Sequence, residues 1–278
     1  MESFEHGYVE NNSVRLHFSS VGKGPLIVCI HGFPDFWYSW RHQLAALQDR
    51  YRVVAYDQRG YNLSDKPEGQ ANYNVRLLMA DLAAVIKHFG EEKAIIVGHD
   101  WGGLVAWFFA SFQPDMVDKL IVCNLPHPAS LSRELTHNAA QRKMSAYARL
   151  FQKPNAAEKV NVDLLVGIVA GKDPEAQPFY REAFERSDIE AMLHYYKENF
   201  PQEPYTESNI EFPKVKAPTL IFHGLQDIAL HHHGLNNTWE HVEADCTIVT
   251  VPTAGHWVHH DAAKLVNTTM RSWLEQRA

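Results

Sequence analysis

A succession of short, largely apolar runs, separated by helix-patterned segments, is the feature that most restricts what this chain can become. Residues 25–30 read Pro-Leu-Ile-Val-Cys-Ile, and 51–56, 94–98, 119–124, 219–223 and 247–251 repeat the pattern. A strand buried on both faces loses the polar alternation of a surface strand, so such runs mark the centre of a parallel sheet. Residues 14–21 alternate apolar and polar, as an outer antiparallel strand does, and 8–10 add a further candidate. Between these runs lie helical patterns. Asn74 is a candidate N-cap, followed by Val75, Leu78, Met79, Leu82, Val85, Ile86 and Phe89 at helical spacing, with Gly90 closing the segment. Residues 104–112 and 265–274 read as two more helices. Alternating strands and helices predict an α/β fold with an eight-stranded, mostly parallel, doubly wound sheet. The alternation stops after about Leu125 and resumes at Pro218. The predicted organisation is therefore a core of residues 1–126 and 213–278, with a helical cap, 127–212, inserted in it.

The sharpest motif is Gly98-His99-Asp100-Trp101-Gly102, lying between a predicted strand and a predicted helix. G-x-Nu-x-G in that context is a nucleophile elbow, whose tight turn lifts one side chain above the sheet edge. The usual serine is replaced by Asp100, and no G-x-S-x-G occurs in the chain. A carboxylate there can attack carbon and form an ester, and the following helix N-terminus favours its ionised form. A plain helix-capping aspartate would share the residue but not the whole setting. Such a nucleophile needs an acid and then a histidine later in the chain. Asp227, in His-Gly-Leu-Gln-Asp after the 219–223 run, and His256, in Ala-Gly-His-Trp after the last run, both fall at carboxyl ends of strands, where open α/β sheets place ligands. Asp245 and Asp261 fit less well. His31-Gly32-Phe33-Pro34 follows the first buried run, and the backbone N–H groups of Phe33 and Trp101 are the predicted oxyanion hole.

Composition excludes several classes. The 278 residues are 45% hydrophobic and 21% charged with a net charge of −7, and no Lys/Arg block marks a nucleic-acid or membrane footprint. No apolar stretch reaches the ~18 residues of a membrane span. The three cysteines form no disulfide framework or metal motif, and residues 1–10 lack the apolar run of a signal peptide, so a cytoplasmic enzyme is expected. The run His231-His232-His233 could bind metal, but no carboxylate or histidine spacing supports a site, so it reads as a solvated loop and no metal is expected.

These motifs together resemble the epoxide hydrolases of the α/β-hydrolase superfamily. The resemblance covers nearly the whole chain and rests on His31-Gly-Phe-Pro-Asp-Phe-Trp-Tyr-Ser-Trp-Arg41, Asp57-Gln-Arg-Gly-Tyr61 with Ser64-Asp65, Gly98-His-Asp-Trp-Gly-Gly103, and Gly255-His256. It implies two cap tyrosines that hydrogen-bond the epoxide oxygen. They match Tyr147, before Phe151-Gln152, and Tyr196, with Tyr195 as its direct rival. One departure stands out: Asp35 occupies a position where the family commonly carries glutamate, and no role is carried over to it. The resemblance implies conversion of a small apolar epoxide and water to a diol through an ester on Asp100, without cofactor, by a monomer or homodimer. Two alternatives share the fold. A haloalkane dehalogenase would use the same aspartate but needs a halide pocket, and the related fluoroacetate dehalogenases resemble a pattern with Arg where this chain has Trp101. A non-catalytic ligand-binding homologue would keep the fold and lose turnover.

Overall fold

A computed structural model describes residues 4–277; residues 1–3, the start of the segment read for a leader and of the predicted core, and residue 278 lie outside the described residues. Eight strands form one sheet: β1 (Glu5–Asn11), β2 (Val14–Val21), β3 (Leu26–Ile30), β4 (Arg52–Tyr56), β5 (Ala94–His99), β6 (Val117–Cys123), β7 (Thr219–Gly224) and β8 (Cys246–Val251). Their spatial order is β1-β2-β4-β3-β5-β6-β7-β8. The pairs β1–β2 and β2–β4 are antiparallel and all others parallel. The alternating run 14–21 is thus an outer antiparallel strand, as its pattern predicts.

The helices are α1 (Arg41–Leu47), α2 (Val75–His88), α3 (Trp101–Phe112), α4 (Pro128–His137), α5 (Ala139–Met144), α6 (Ala146–Phe151), α7 (Val162–Ala170), α8 (Gln177–Arg186), α9 (Ile189–Asn199), α10 (Val258–Asp261) and α11 (Ala263–Glu275). Successive strand residues point to opposite faces of the sheet, and the two faces build two cores. Val28, Ile30, Val54, Ile96 and Val122 pack with residues of α2, α3 and the inserted helices. Ile27, Cys29, Val53, Val97 and Ile121 pack with residues of α1, α10 and α11. Both faces are covered, which is why the central runs carry no polar alternation.

Helix α2 starts where expected, with the Asn74 side chain accepting the Arg76 N–H. Helix α3 begins three residues earlier than the periodicity predicts. Its first turn contains Gly102 and Gly103, weak helix formers that packing requires. A Cβ on Gly102 would lie 2.1 Å from the Ile30 carbonyl oxygen, so only glycine lets α3 approach β3 this closely. Helices α4 to α9 all fall between β6 and β7 and lie against the carboxyl end of the sheet. The Tyr195 hydroxyl donates to the Arg59 carbonyl at 2.9 Å, and the Tyr180 ring meets Phe36 edge-on with centroids 5.1 Å apart. Among the described residues, no helix is long and apolar enough to cross a membrane.

Candidate active site

The chain leaves β3 and runs to β4 on one side, while β5 lies on the other. The carboxyl ends of β3 and β5 therefore flank a switch point, where open sheets leave a crevice. Asp100 sits there, between β5 and α3, at φ 51° and ψ −119°. A non-glycine residue in this region carries a strain of roughly 1–3 kcal/mol. The tight turn it forms points its carboxylate back over the β3 end. Gly32 makes the room: a Cβ there would lie 2.3 Å from the Asp100 Cβ. The Phe33 N–H donates to Asp100 Oδ1 at 2.8 Å. Trp101 opens α3, so its N–H is among the helix's amino-terminal donors without a partner in the same helix.

The sheet brings the other two predicted partners to the same point. His256 Nε2 lies 3.5 Å from Asp100 Oδ2, and His256 Nδ1–H meets Asp227 Oδ2 at 2.9 Å. All three are buried. Asp227 Oδ1 accepts the N–H groups of Ala229 and Leu230 at 2.7 and 3.0 Å, which fixes the carboxylate. Burial pushes Asp227 up, but the His256 charge and hydrogen bonds outweigh it and hold the carboxyl at about 2. Burial likewise opposes ionisation of Asp100, yet its contact with His256 leaves it below the usual carboxylate range. His256 feels the reverse: burial lowers it, the charges of Asp227 and Asp100 raise it, and it rests at about 10. The free site is an imidazolium between two carboxylates.

A cavity of about 990 Å³ opens above Asp100, with Trp101, Tyr147 and Tyr196 also on its walls. The rings of Tyr147 and Tyr196 are 5.9 Å apart, and Tyr196 packs edge-on against Trp101 at 4.9 Å and Phe33 at 5.4 Å. Burial, then the neighbouring Asp100 charge, raises the Tyr147 phenol; burial, then Tyr147 and Asp100, raises that of Tyr196. Both stay protonated and can donate. Tyr195, adjacent on α9, points elsewhere: its hydroxyl is committed to the Arg59 carbonyl.

Residues 25–263 match the model of the alpha/beta hydrolase fold family. Epoxide hydrolase 1 of Caenorhabditis elegans is 35% identical over 294 residues, covering 99% of this chain and 72% of that protein. The chain belongs to the epoxide hydrolase family of α/β hydrolases. An AB hydrolase superfamily protein of Bacillus subtilis is 35% identical with both chains fully covered. An inhibitor-bound epoxide hydrolase from Bacillus megaterium superposes with a TM-score of 0.90 at 33% identity, covering 97% of this chain and all of that one.

Three further residues surround these groups in this epoxide hydrolase family member. Asn124, at the end of β6, adopts φ 46°. Its amide donates to Asp227 Oδ2 at 2.7 Å and to the Gly255 carbonyl at 3.2 Å, tying the acid to the histidine loop. His99 lies beneath His256, with Nε2 2.9 Å from the His256 carbonyl. Burial, reinforced by the His256 charge, holds His99 at about 3, so it is neutral and donates that hydrogen bond. Asp35 is buried beside this group. It accepts the Phe36 N–H at 3.0 Å, the Ser39 hydroxyl at 2.7 Å, the Tyr180 hydroxyl at 3.0 Å and the Trp257 indole N–H at 3.2 Å. Burial pushes it up to about 7 against the hydrogen bonds from Ser39, Phe36 and Tyr180 and the Arg41 charge. An asparagine closing an apolar strand was a usable signal for Asn124, because asparagine tolerates positive φ. His99 lies within the elbow motif, but nothing local marks its contact with His256.

Proposed function

We propose that the enzyme opens an apolar epoxide to a vicinal diol in two steps, with Asp100 as nucleophile, His256 as base, Asp227 as its orienting acid, and Tyr147 and Tyr196 as acids on the epoxide oxygen. The observation that carries this reading is the convergence of one buried carboxylate and two protonated phenols on a single cavity. Residues 127–212 act as the cap that brings the phenols over the sheet. Leu104, Phe108, Leu131 and Leu135 on the cavity wall suit an apolar substrate.

In the first step an Asp100 oxygen attacks a ring carbon and the C–O bond breaks. The leaving alkoxide takes a proton from a tyrosine. Esterification removes the Asp100 charge that held His256 protonated, so the imidazolium becomes acidic; it gives up its proton as the tyrosinate regains one, which leaves His256 neutral and the tyrosine protonated. In the second step neutral His256 takes a proton from water, and the resulting hydroxide attacks the ester carbonyl. The N–H groups of Phe33 and Trp101 hold the oxyanion. Collapse expels the diol alkoxide, which takes the proton from His256; Asp100, released as the carboxylic acid, then gives its proton to His256 and restores the imidazolium between two carboxylates. His99 and Asn124 keep the histidine loop in place. We further read the protein as a cytoplasmic monomer or homodimer; its three free cysteines, two of them buried, support a reducing compartment.

The two phenols separate epoxide opening from dehalogenation, because an alkoxide needs a proton and a halide does not. Tyr147→Phe and Tyr196→Phe are each expected to lower kcat/KM on styrene oxide by about 10²-fold, the usual scale of general acid catalysis. The unmodified enzyme is expected to release no halide from a haloalkane panel. Full activity in the double variant, or halide release faster than diol formation, would sink this assignment.

A further inference from the structure

The run His231-His232-His233 looks like a solvated turn in the sequence, but the fold gathers its three rings. His231 caps the short turn of His232–Leu235, its Nδ1 accepting the His233 N–H at 3.2 Å. The rings of His231 and His232, His231 and His233, and His232 and His233 have centroids 4.4, 4.4 and 4.8 Å apart. One nitrogen from each lies within 4.8 Å of the others. His232 and His233 are exposed and His231 is half-buried, so the cluster is open to solvent.

We propose that this cluster binds a divalent first-row transition metal ion such as Zn²⁺ or Ni²⁺ through three imidazole nitrogens, with water completing the coordination. Imidazole suits these ions and not Mg²⁺ or Ca²⁺. With metal–nitrogen bonds of about 2.0–2.1 Å, ligand nitrogens sit roughly 3.3 Å apart, so each ring must move by about 1 Å. Rotation of the two exposed side chains supplies that movement. The cost is the weak contacts of His231 Nδ1, with the His233 N–H at 3.2 Å and the Asn138 amide at 3.5 Å.

The surroundings add a second favourable feature. Glu134, on α4, places its charge against both His231 and His233. Its carboxylate is held by Arg133 at 3.0 Å and by the Asn138 amide at 2.7 Å. The cluster also lies on the seam between core and inserted helices: the His231 N–H donates to Gln141 Oε1 at 2.8 Å, and Arg133 donates to the His233 carbonyl at 3.2 Å. A bound ion would brace this seam without entering the reaction.

The test is equilibrium dialysis of the full chain against Zn²⁺ and Ni²⁺ at neutral pH, beside a His232→Ala/His233→Ala variant. The unmodified chain should bind one more ion than the variant, with a micromolar dissociation constant, and no Mg²⁺ at that level. Its Tm should rise with Ni²⁺ while that of the variant does not. Without metal, both should melt cooperatively and turn over epoxide at the same rate. Equal binding by both chains would overturn the site. If the double variant fails to fold, the single His232→Gln and His233→Gln chains give the same comparison.

Discussion

Replacing His256 by glutamine is expected to halt the enzyme halfway, as a stable ester on Asp100. Glutamine is close in length and can still donate to Asp227, but it cannot take a proton from water. The first step needs no base, so alkylation survives. Multiple-turnover diol formation should fall by at least about 10³-fold, within the range of general base catalysis. Intact mass should rise by the mass of one epoxide, and peptide mapping should place it on Asp100. The pH dependence has a definite sign. His256 is what holds Asp100 below the ordinary carboxylate range, while burial pushes it up. Without the imidazolium, Asp100 ionises only at higher pH, so alkylation of the variant should be lost at higher pH than in the unmodified enzyme as acid is added. Free diol at the normal rate, with no adduct, would refute the assignment of His256.

The second large effect is expected in stability, at a residue outside the reacting group. Asp81, on α2, and Arg59 are 2% and 3% exposed, so both charges lie in the interior. Arg59 Nε and a terminal guanidinium nitrogen each donate to Asp81 at 2.7 Å, and Asn11 donates to the same carboxylate at 2.8 Å. Removing one partner of a buried pair strands the other charge, at a cost of about 3–5 kcal/mol. Asp81→Ala should lower the unfolding free energy by that amount in urea titration. The loss should reach the cavity as well, because the Arg59 carbonyl holds Tyr195, the neighbour of Tyr196. Replacing both partners with apolar residues should recover much of the stability. A change under about 1 kcal/mol in Asp81→Ala would show that the pair does not anchor this region.

Most of the sheet was legible because burial on both faces erases polar alternation, and β3 to β7 are strands of that kind. The start of α3 was not, since helix propensity disfavours Gly102 and Gly103, whereas their lack of side chains is what packing demands. At the site, Asp100, Asp227 and His256 stood out because each follows a strand in a turn with its own chemistry. His99 and the partners of Asp35 did not, because their meaning lies in contacts with residues distant in sequence, and Asn124 carried only the signal of an asparagine closing an apolar strand. Tyr195 and Tyr196 were indistinguishable by pattern: adjacent helix positions differ by about 100° in direction, and only the core beneath them decides which faces Asp100. The triple histidine carried no spacing signal, and the turn that gathers it is visible only in the folded chain.

In the proposed mechanism water attacks an ester of Asp100 and not the epoxide. Turnover in oxygen-18 water, followed by mass analysis of the peptide containing Asp100, tests it most directly. The first turnover should deliver unlabelled oxygen from Asp100 to the diol, and repeated turnover should leave label in the Asp100 carboxylate. Labelled diol from the first turnover, with Asp100 unlabelled after many cycles, would contradict it.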